Sequence, residues 1–243
     1  MKEDTIMIKL SSKLALALTV CVLAFPVSSN AAEKGKTFAD FPLCQEGKAQ
    51  SPVNMAEYKR GDLEALSMNY APSRLRVVNN GHTIQANFDA GSSMSIKGKT
   101  YNLLQLHFHT PSEHYVDGAP YPMEGHFVHK AEDGTLAVIG VMMKVGQANP
   151  IVQGMWDNIT MSHDENVVES VTWSAPDFMP ESKAYYHYQG SLTTPPCSEG
   201  VQWYVLQDPV EISQDQLKAF QKLYAMNARP IQDMNGRVIL GNQ

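Results

Sequence analysis

Two histidines stand two residues apart in His107-Phe108-His109, and a third, His126, follows seventeen residues after the pair. Imidazole is the commonest protein ligand for metals. On an extended strand alternate side chains share a face, so His107 and His109 point to one side, about 7 Å apart along the strand. Alone, the pair is a weak signal, and two ordinary sheet histidines are the better reading of it. His126 adds weight, because Asp117-Gly118-Ala119-Pro120-Tyr121-Pro122 lets a second strand return beside the first. Three imidazoles with no fourth protein ligand leave a coordination position for water, as catalytic rather than structural zinc requires. One Zn2+ per chain is therefore expected on His107, His109 and His126. His129, an odd number of residues from His126, should face the other way and is read as structural.

A metal-bound imidazole usually passes its other ring N–H to an oxygen. Gln105 shares the parity of His107 and His109, and Glu124 that of His126, so each falls one repeat from a ligand. The competing reading of both is plain solvent exposure.

The elements that must carry these residues read mostly as strands. Leu75 to Val78, Thr83 to Phe88, Ser93 to Ile96, Thr100 to Phe108, Gly125 to Lys130, Leu136 to Val145 and Val201 to Leu206 are apolar or alternating runs separated by turns such as Asn79-Asn80-Gly81. Helices are few. Ser213 with Gln216 forms a capping-box pattern ahead of Leu217, Phe220, Leu223 and Tyr224, predicting a helix through Asn227. Asn149-Pro150 predicts another helix start, with Ile151, Met155 and Ile159 on one face. No repeat or linker interrupts the chain. The expectation is a single, mainly β domain with few short helices and a central, mostly antiparallel sheet.

Composition bounds the function. The 243 residues suffice for one real core, and 43% hydrophobic with 18% charged residues is ordinary for a globular protein. A net charge of −6 offers no basic surplus for nucleic acid. At the N-terminus Lys9 and Lys13 precede an apolar run from Leu14 to Phe25 and then small residues ending in Ala31-Ala32. That pattern predicts a cleaved signal peptide over 1–32, the start lying at Met1 or Met7, and no stable membrane anchor after processing. The run is short of the roughly 20 residues of a membrane span. The destination is the periplasm or the outside of the cell. Loss of Cys21 with that segment leaves Cys44 and Cys197, for which a disulfide is the default in an oxidising compartment; two buried free thiols are the other reading.

Longer motifs now join the histidines. Gln105-Leu106-His107-Phe108-His109-Thr110-Pro111-Ser112-Glu113-His114, Glu124-Gly125-His126-Phe127-Val128-His129 and Gly190-Ser191-Leu192-Thr193-Thr194-Pro195-Pro196-Cys197 resemble the α-class carbonic anhydrases. So do Gly47 to Asn54, Asn79 to His82, Leu136 to Gly140 and Asn227 to Pro230; the resemblance runs from about Phe41 to the C-terminus. It implies a twisted sheet with a conical cleft, zinc at its base, and attack of zinc hydroxide on carbon dioxide to give bicarbonate and a proton. It implies that Gln105, Glu124 and the backbone of Asn227 orient the ligands, that Thr193 orients the hydroxide with its own proton committed to Glu113, and that His82 shuttles the proton. It also implies an apolar resting place at Val128, Val138, Leu192, Val201 and Trp203, a bicarbonate contact at Thr194, and a buried hydrogen-bonded set of Ser51, His114 and Tyr188. A side activity on activated esters follows from the same nucleophile. A non-catalytic binding module on this fold is the other class, though such relatives typically lose a zinc histidine and all three stand here. The chain departs from the pattern at its start, where the family's aromatic Trp-Gly-Tyr stretch is missing. That stretch covers one side of the cleft, so a more open rim is expected, with a homodimer as one way to cover it.

Overall fold

The computed structural model describes residues 37–242. The expected signal peptide and its cleavage site lie outside these residues.

Eight strands form the body of one large sheet: β1 (Ser73–Asn79), β2 (Ile84–Asn87), β3 (Lys99–His109), β4 (Met123–Lys130), β5 (Leu136–Val145), β6 (Asn166–Trp173), β7 (Tyr185–Ser191) and β8 (Glu199–Leu206). Their order across the sheet is β7-β8-β5-β4-β3-β2-β1-β6. Every neighbouring pair in this row is antiparallel except β5 with β8. Shorter strands extend it. Leu240–Gly241 lies beside β7, Ser93–Ile96 pairs with the start of β3, and Val210–Ile212 runs parallel to the end of β5. The sheet is therefore mixed, with antiparallel pairs in the majority as the sequence predicts.

The strands at Ser93–Ile96 and Leu136–Val145 have the bounds the sequence suggests, and the others differ by a few residues at their ends. β6 and β7 escape the sequence reading for physical reasons. β6 is an edge strand whose side chains, Trp173 excepted, are exposed or half-buried, and β7 buries residues without regular alternation. Both expected helices form from the expected caps, α2 (Pro150–Trp156) and α3 (Gln214–Leu223), preceded by a short α1 (Pro42–Glu46). Asn149 Oδ1 accepts from the N–H groups of Ile151 and Val152, while Ser213 and Gln216 exchange bonds of 3.1 and 3.0 Å. Each helix is shorter than its apolar period. α2 stops before Ile159 and α3 before Asn227, where tertiary bonds take over: Asn227 N donates to Thr110 O at 3.1 Å, and Tyr224 OH reaches Thr83 O at 3.2 Å.

Each face of the sheet carries its own apolar layer. Leu106, Phe108, Phe127, Ile139, Val141, Phe178 and Phe220 belong to the larger core. Val53, Met55, Val138, Met142, Val201 and Trp203 form a smaller one. Strand parity explains the division, since Ile139 and Val141 alternate with Val138 and Met142 along β5. Complete burial of a phenylalanine such as Phe108 contributes about 1.5–3 kcal/mol. The Cys44–Cys197 disulfide, Cα atoms 5.2 Å apart, ties α1 to the loop between β7 and β8.

Candidate metal centre and cleft

The β3–β4 register sets His107 opposite His126 and His109 opposite Glu124. Opposed residues of a ladder share a face. The register slips by one residue between Leu103 and Gln105, which resets the alternation. As a result Gln105, His107 and His109 face the smaller core, while Leu106 and Phe108 turn into the larger one.

One ring nitrogen from each of His107, His109 and His126 lies within 4.8 Å of the other two. Oxygens hold the remaining nitrogens. Gln105 Oε1 is 2.8 Å from His107 Nδ1 and Asn227 O is 3.1 Å from His109 Nδ1. Both oxygens only accept, so each Nδ1 carries the proton and each Nε2 keeps its lone pair. His126 Nε2 sits 2.9 Å from Glu124 Oε1, within ion-pair range though without hydrogen-bond geometry. Burial holds His107 well below the usual imidazole range, reinforced by His109 and His126 against the pull of Glu124. Burial also lowers His109, outweighing the nearby Glu113 carboxylate. For His126 burial again acts downward, yet the Glu124 carboxylate prevails and raises it. His109 Nε2 is buried with no hydrogen-bond partner. A buried lone pair of this kind costs free energy unless something binds it. A borderline cation with three nitrogen donors fits the set.

Glu124 is fully buried and well supplied with donors. Its Oε2 accepts from the backbone N–H of Glu113 and His114, both at 2.9 Å, and its Oε1 from His114 Nδ1 at 2.8 Å. Burial would raise its pKa, but His114 and His126 hold it well below the ordinary carboxylate range. Gly140 makes the room, because a Cβ there would lie 2.8 Å from Glu124 Oε1. Beyond His114, Tyr188 OH lies 2.6 Å from Nε2 and 2.7 Å from Ser51 Oγ, so Ser51, His114 and Tyr188 do form one buried bonded set.

The structure brings most of the other candidates to the same face. Val128, Val138 and Trp203 stand in one row across β4, β5 and β8, and Leu192 and Val201 join them in the smaller core. Trp203 packs edge-on against His126, ring centroids 4.9 Å apart. Thr193 is buried and Thr194 exposed. One expected contact is absent. Glu113 Oε1 accepts from Arg229 N at 2.9 Å, but Oε2 is buried with no hydrogen-bond partner, so Thr193 is not bonded to it. Both residues are buried, as the pairing requires. His82 is exposed in the turn after β1, its carbonyl accepting from Asn227 Nδ2 at 3.0 Å. Asn227 thus touches both the His109 ring and the His82 turn.

Residues 34–243 match the profile of the eukaryotic-type carbonic anhydrases. The chain belongs to that family. A carbonic anhydrase of Pectobacterium carotovorum is 39% identical over 237 residues, covering 93% of this chain and 97% of that protein. Among solved structures, a hyperthermostable carbonic anhydrase from an active hydrothermal vent chimney superposes with a TM-score of 0.82 at 41% identity, covering 84% of this chain and 92% of the other. The α-carbonic anhydrase of Thermovibrio ammonificans, in complex with the inhibitor sulfanilamide, gives 0.80 at 39% identity, with 83% and 91% covered. Within this carbonic anhydrase fold the sequence reading missed Arg229 as a structural residue. Its buried guanidinium donates to Gln50 Oε1, Ser51 O and Cys44 O at 2.7–3.0 Å. No local pattern announces a buried arginine; only the assembled carbonyls show why it is there.

Proposed function

We propose that the chain catalyses the reversible hydration of carbon dioxide to bicarbonate and a proton, with one zinc ion held by His107, His109 and His126. The observation that carries this reading is the convergence of three imidazoles, His109 and His126 buried and His107 half-buried, with His109 Nε2 lacking a hydrogen-bond partner, beside an apolar wall. Zinc held there supplies a Lewis acid that lowers the pKa of bound water to about 7. The chain's own groups do the rest. Gln105, Glu124 and the carbonyl of Asn227 fix the tautomer and tilt of the ligands. Val128, Val138, Leu192, Val201 and Trp203 give an apolar electrophile a place to wait, and Thr194 receives the polar product. Rotation of the Thr193 hydroxyl towards the unpartnered Glu113 Oε2 commits its proton and leaves its oxygen as an acceptor that aligns the nucleophile. His82, exposed at the rim, passes the proton outward, a task imidazole suits near neutral pH. Activated esters are side substrates.

The Lys9–Ala32 pattern and the disulfide support export to the periplasm or beyond, with 1–32 removed as a signal peptide. No helix among the described residues is long and apolar enough to cross a membrane.

Metal analysis and stopped-flow hydration with a pH indicator test the proposal together. The expected result is one zinc per chain, hydration lost on chelation and recovered with zinc. Hydration no faster than the metal-free control overturns it.

A further inference from the structure

A row of side-chain amides leads from the His82 turn to Glu165, the residue before β6. Gln85 lies opposite His107 and Asn87 opposite Gln105 across the β2–β3 pair, so both amides point to the face of the metal ligands. Asn80 Oδ1 accepts from the backbone N–H of His82 at 3.0 Å and of Thr83 at 2.9 Å. Asn80 Nδ2 donates to Gln85 Oε1 at 3.3 Å, and Gln85 Nε2 donates to Asn87 Oδ1 at 2.7 Å. Asn87 Nδ2 then donates to Glu165 Oε1 at 2.7 Å.

The direction of this chain is fixed from both ends. Backbone N–H groups only donate, so Asn80 must turn its oxygen to the His82 turn. A carboxylate only accepts, so Asn87 must turn its NH2 to Glu165. Three amides in series satisfy both demands, whereas a donor at position 165 would set two NH2 groups against each other somewhere in the row. Arg76 secures the anchor. Its Nε and Nη2 take Glu165 Oε2 at 3.1 and 2.7 Å, leaving Oε1 for Asn87. Burial acts to raise the Glu165 pKa, but the bonds from Arg76 and Asn87 outweigh it and hold the group below the ordinary carboxylate range.

We propose that Glu165 is a positioning residue for proton release: through Asn87, Gln85 and Asn80 it holds the turn that carries His82 and orients the polar wall beside it. This rests on the proton-transfer role of His82 proposed above. Glu165 acts through the amides and takes no proton itself.

Two variants of the zinc-loaded enzyme test it. Glu165→Ala removes the acceptor; Glu165→Gln keeps the shape but can turn either end to Asn87, so the direction is no longer enforced. Backbone hydrogen exchange at His82 and Thr83, read by NMR, should quicken several-fold in Glu165→Ala and less in Glu165→Gln. In weak buffer kcat should fall roughly three- to tenfold with kcat/KM unchanged, and imidazole should restore it. Unchanged exchange at His82 and Thr83 overturns the proposal, as does an equal fall in kcat and kcat/KM that buffer does not restore. His82→Ala is measured beside them: an unchanged kcat in weak buffer there removes the proton-transfer reading, which is a different failure from unchanged exchange in Glu165→Ala.

Discussion

Burial separates the histidines into different trades. His82 is exposed, and among the described residues its backbone is anchored by Asn80 and Asn227. His82→Ala should therefore lower turnover in weak buffer, with added imidazole restoring it; an unchanged rate takes His82 out of the mechanism. His129 is the opposite case. It is completely buried, Nδ1 donating to Phe127 O at 2.9 Å and Nε2 taking the Tyr70 hydroxyl at 2.7 Å, and burial lowers its pKa to about 4. The folded state then binds a proton later than the unfolded state as pH falls. Its stabilising contribution is complete above about pH 6.5 and declines towards pH 4, a loss of up to about 3 kcal/mol. In the metal-free protein burial lowers His107 and His109 in the same direction, while the Glu124 carboxylate raises His126 and opposes them. Urea unfolding between pH 7 and pH 4 should show the decline. His129→Gln, which keeps both hydrogen-bonding roles without titrating, should make it shallower.

Among the elements, the β3–β4 pair matters most, because its register and single slip bring ligand and partner residues to one face. Glycines with no space for a Cβ complete the fit. At Gly190 on β7 an added Cβ would lie 2.0 Å from Ser51 Oγ, 2.8 Å from the Tyr188 ring and 2.9 Å from the Trp203 ring. Gly190→Ala should push Ser51 off the Tyr188 hydroxyl and cost about 1–3 kcal/mol or more, seen in equilibrium denaturation. A midpoint equal to that of the parent would show that β7 can shift away without penalty. Helix starts were legible in Asn149-Pro150 and Ser213-to-Gln216, since a cap is a local bond. Helix ends were not, because Asn227 leaves the helical period to serve Thr110, Phe108 and His82.

For the whole molecule, the segment before β1 depends on cross-links to the far end of the sequence. The disulfide spans 153 residues, and Arg229 binds Cys44 O, Gln50 and Ser51 from 178 or more positions away. In the chain-entropy view a link over so long a loop stabilises by about 5 kcal/mol at most. Reduction under native conditions should lower the urea midpoint by a corresponding amount. It should also disturb Thr193, which shares the loop between β7 and β8 with Cys197. Identical midpoints with and without reductant would falsify this.

The sequence alone determined the convergence of three histidines, the mainly β class and the cysteine pair, because each rests on strand parity, a local cap or simple pairing of what the chain contains. Period-two alternation and a turn between strands put His107, His109 and His126 within reach of one another, and the longer motifs around them singled them out. Other features belonged to tertiary structure. The direction of the Asn80–Gln85–Asn87–Glu165 row, the placement of Arg229 and the missing Thr193–Glu113 bond all depend on groups distant in sequence meeting at hydrogen-bond range. Periodicity tells which way a side chain points along its own strand. Which donor finds which acceptor is settled only when the strands, loops and their desolvated polar groups are assembled together.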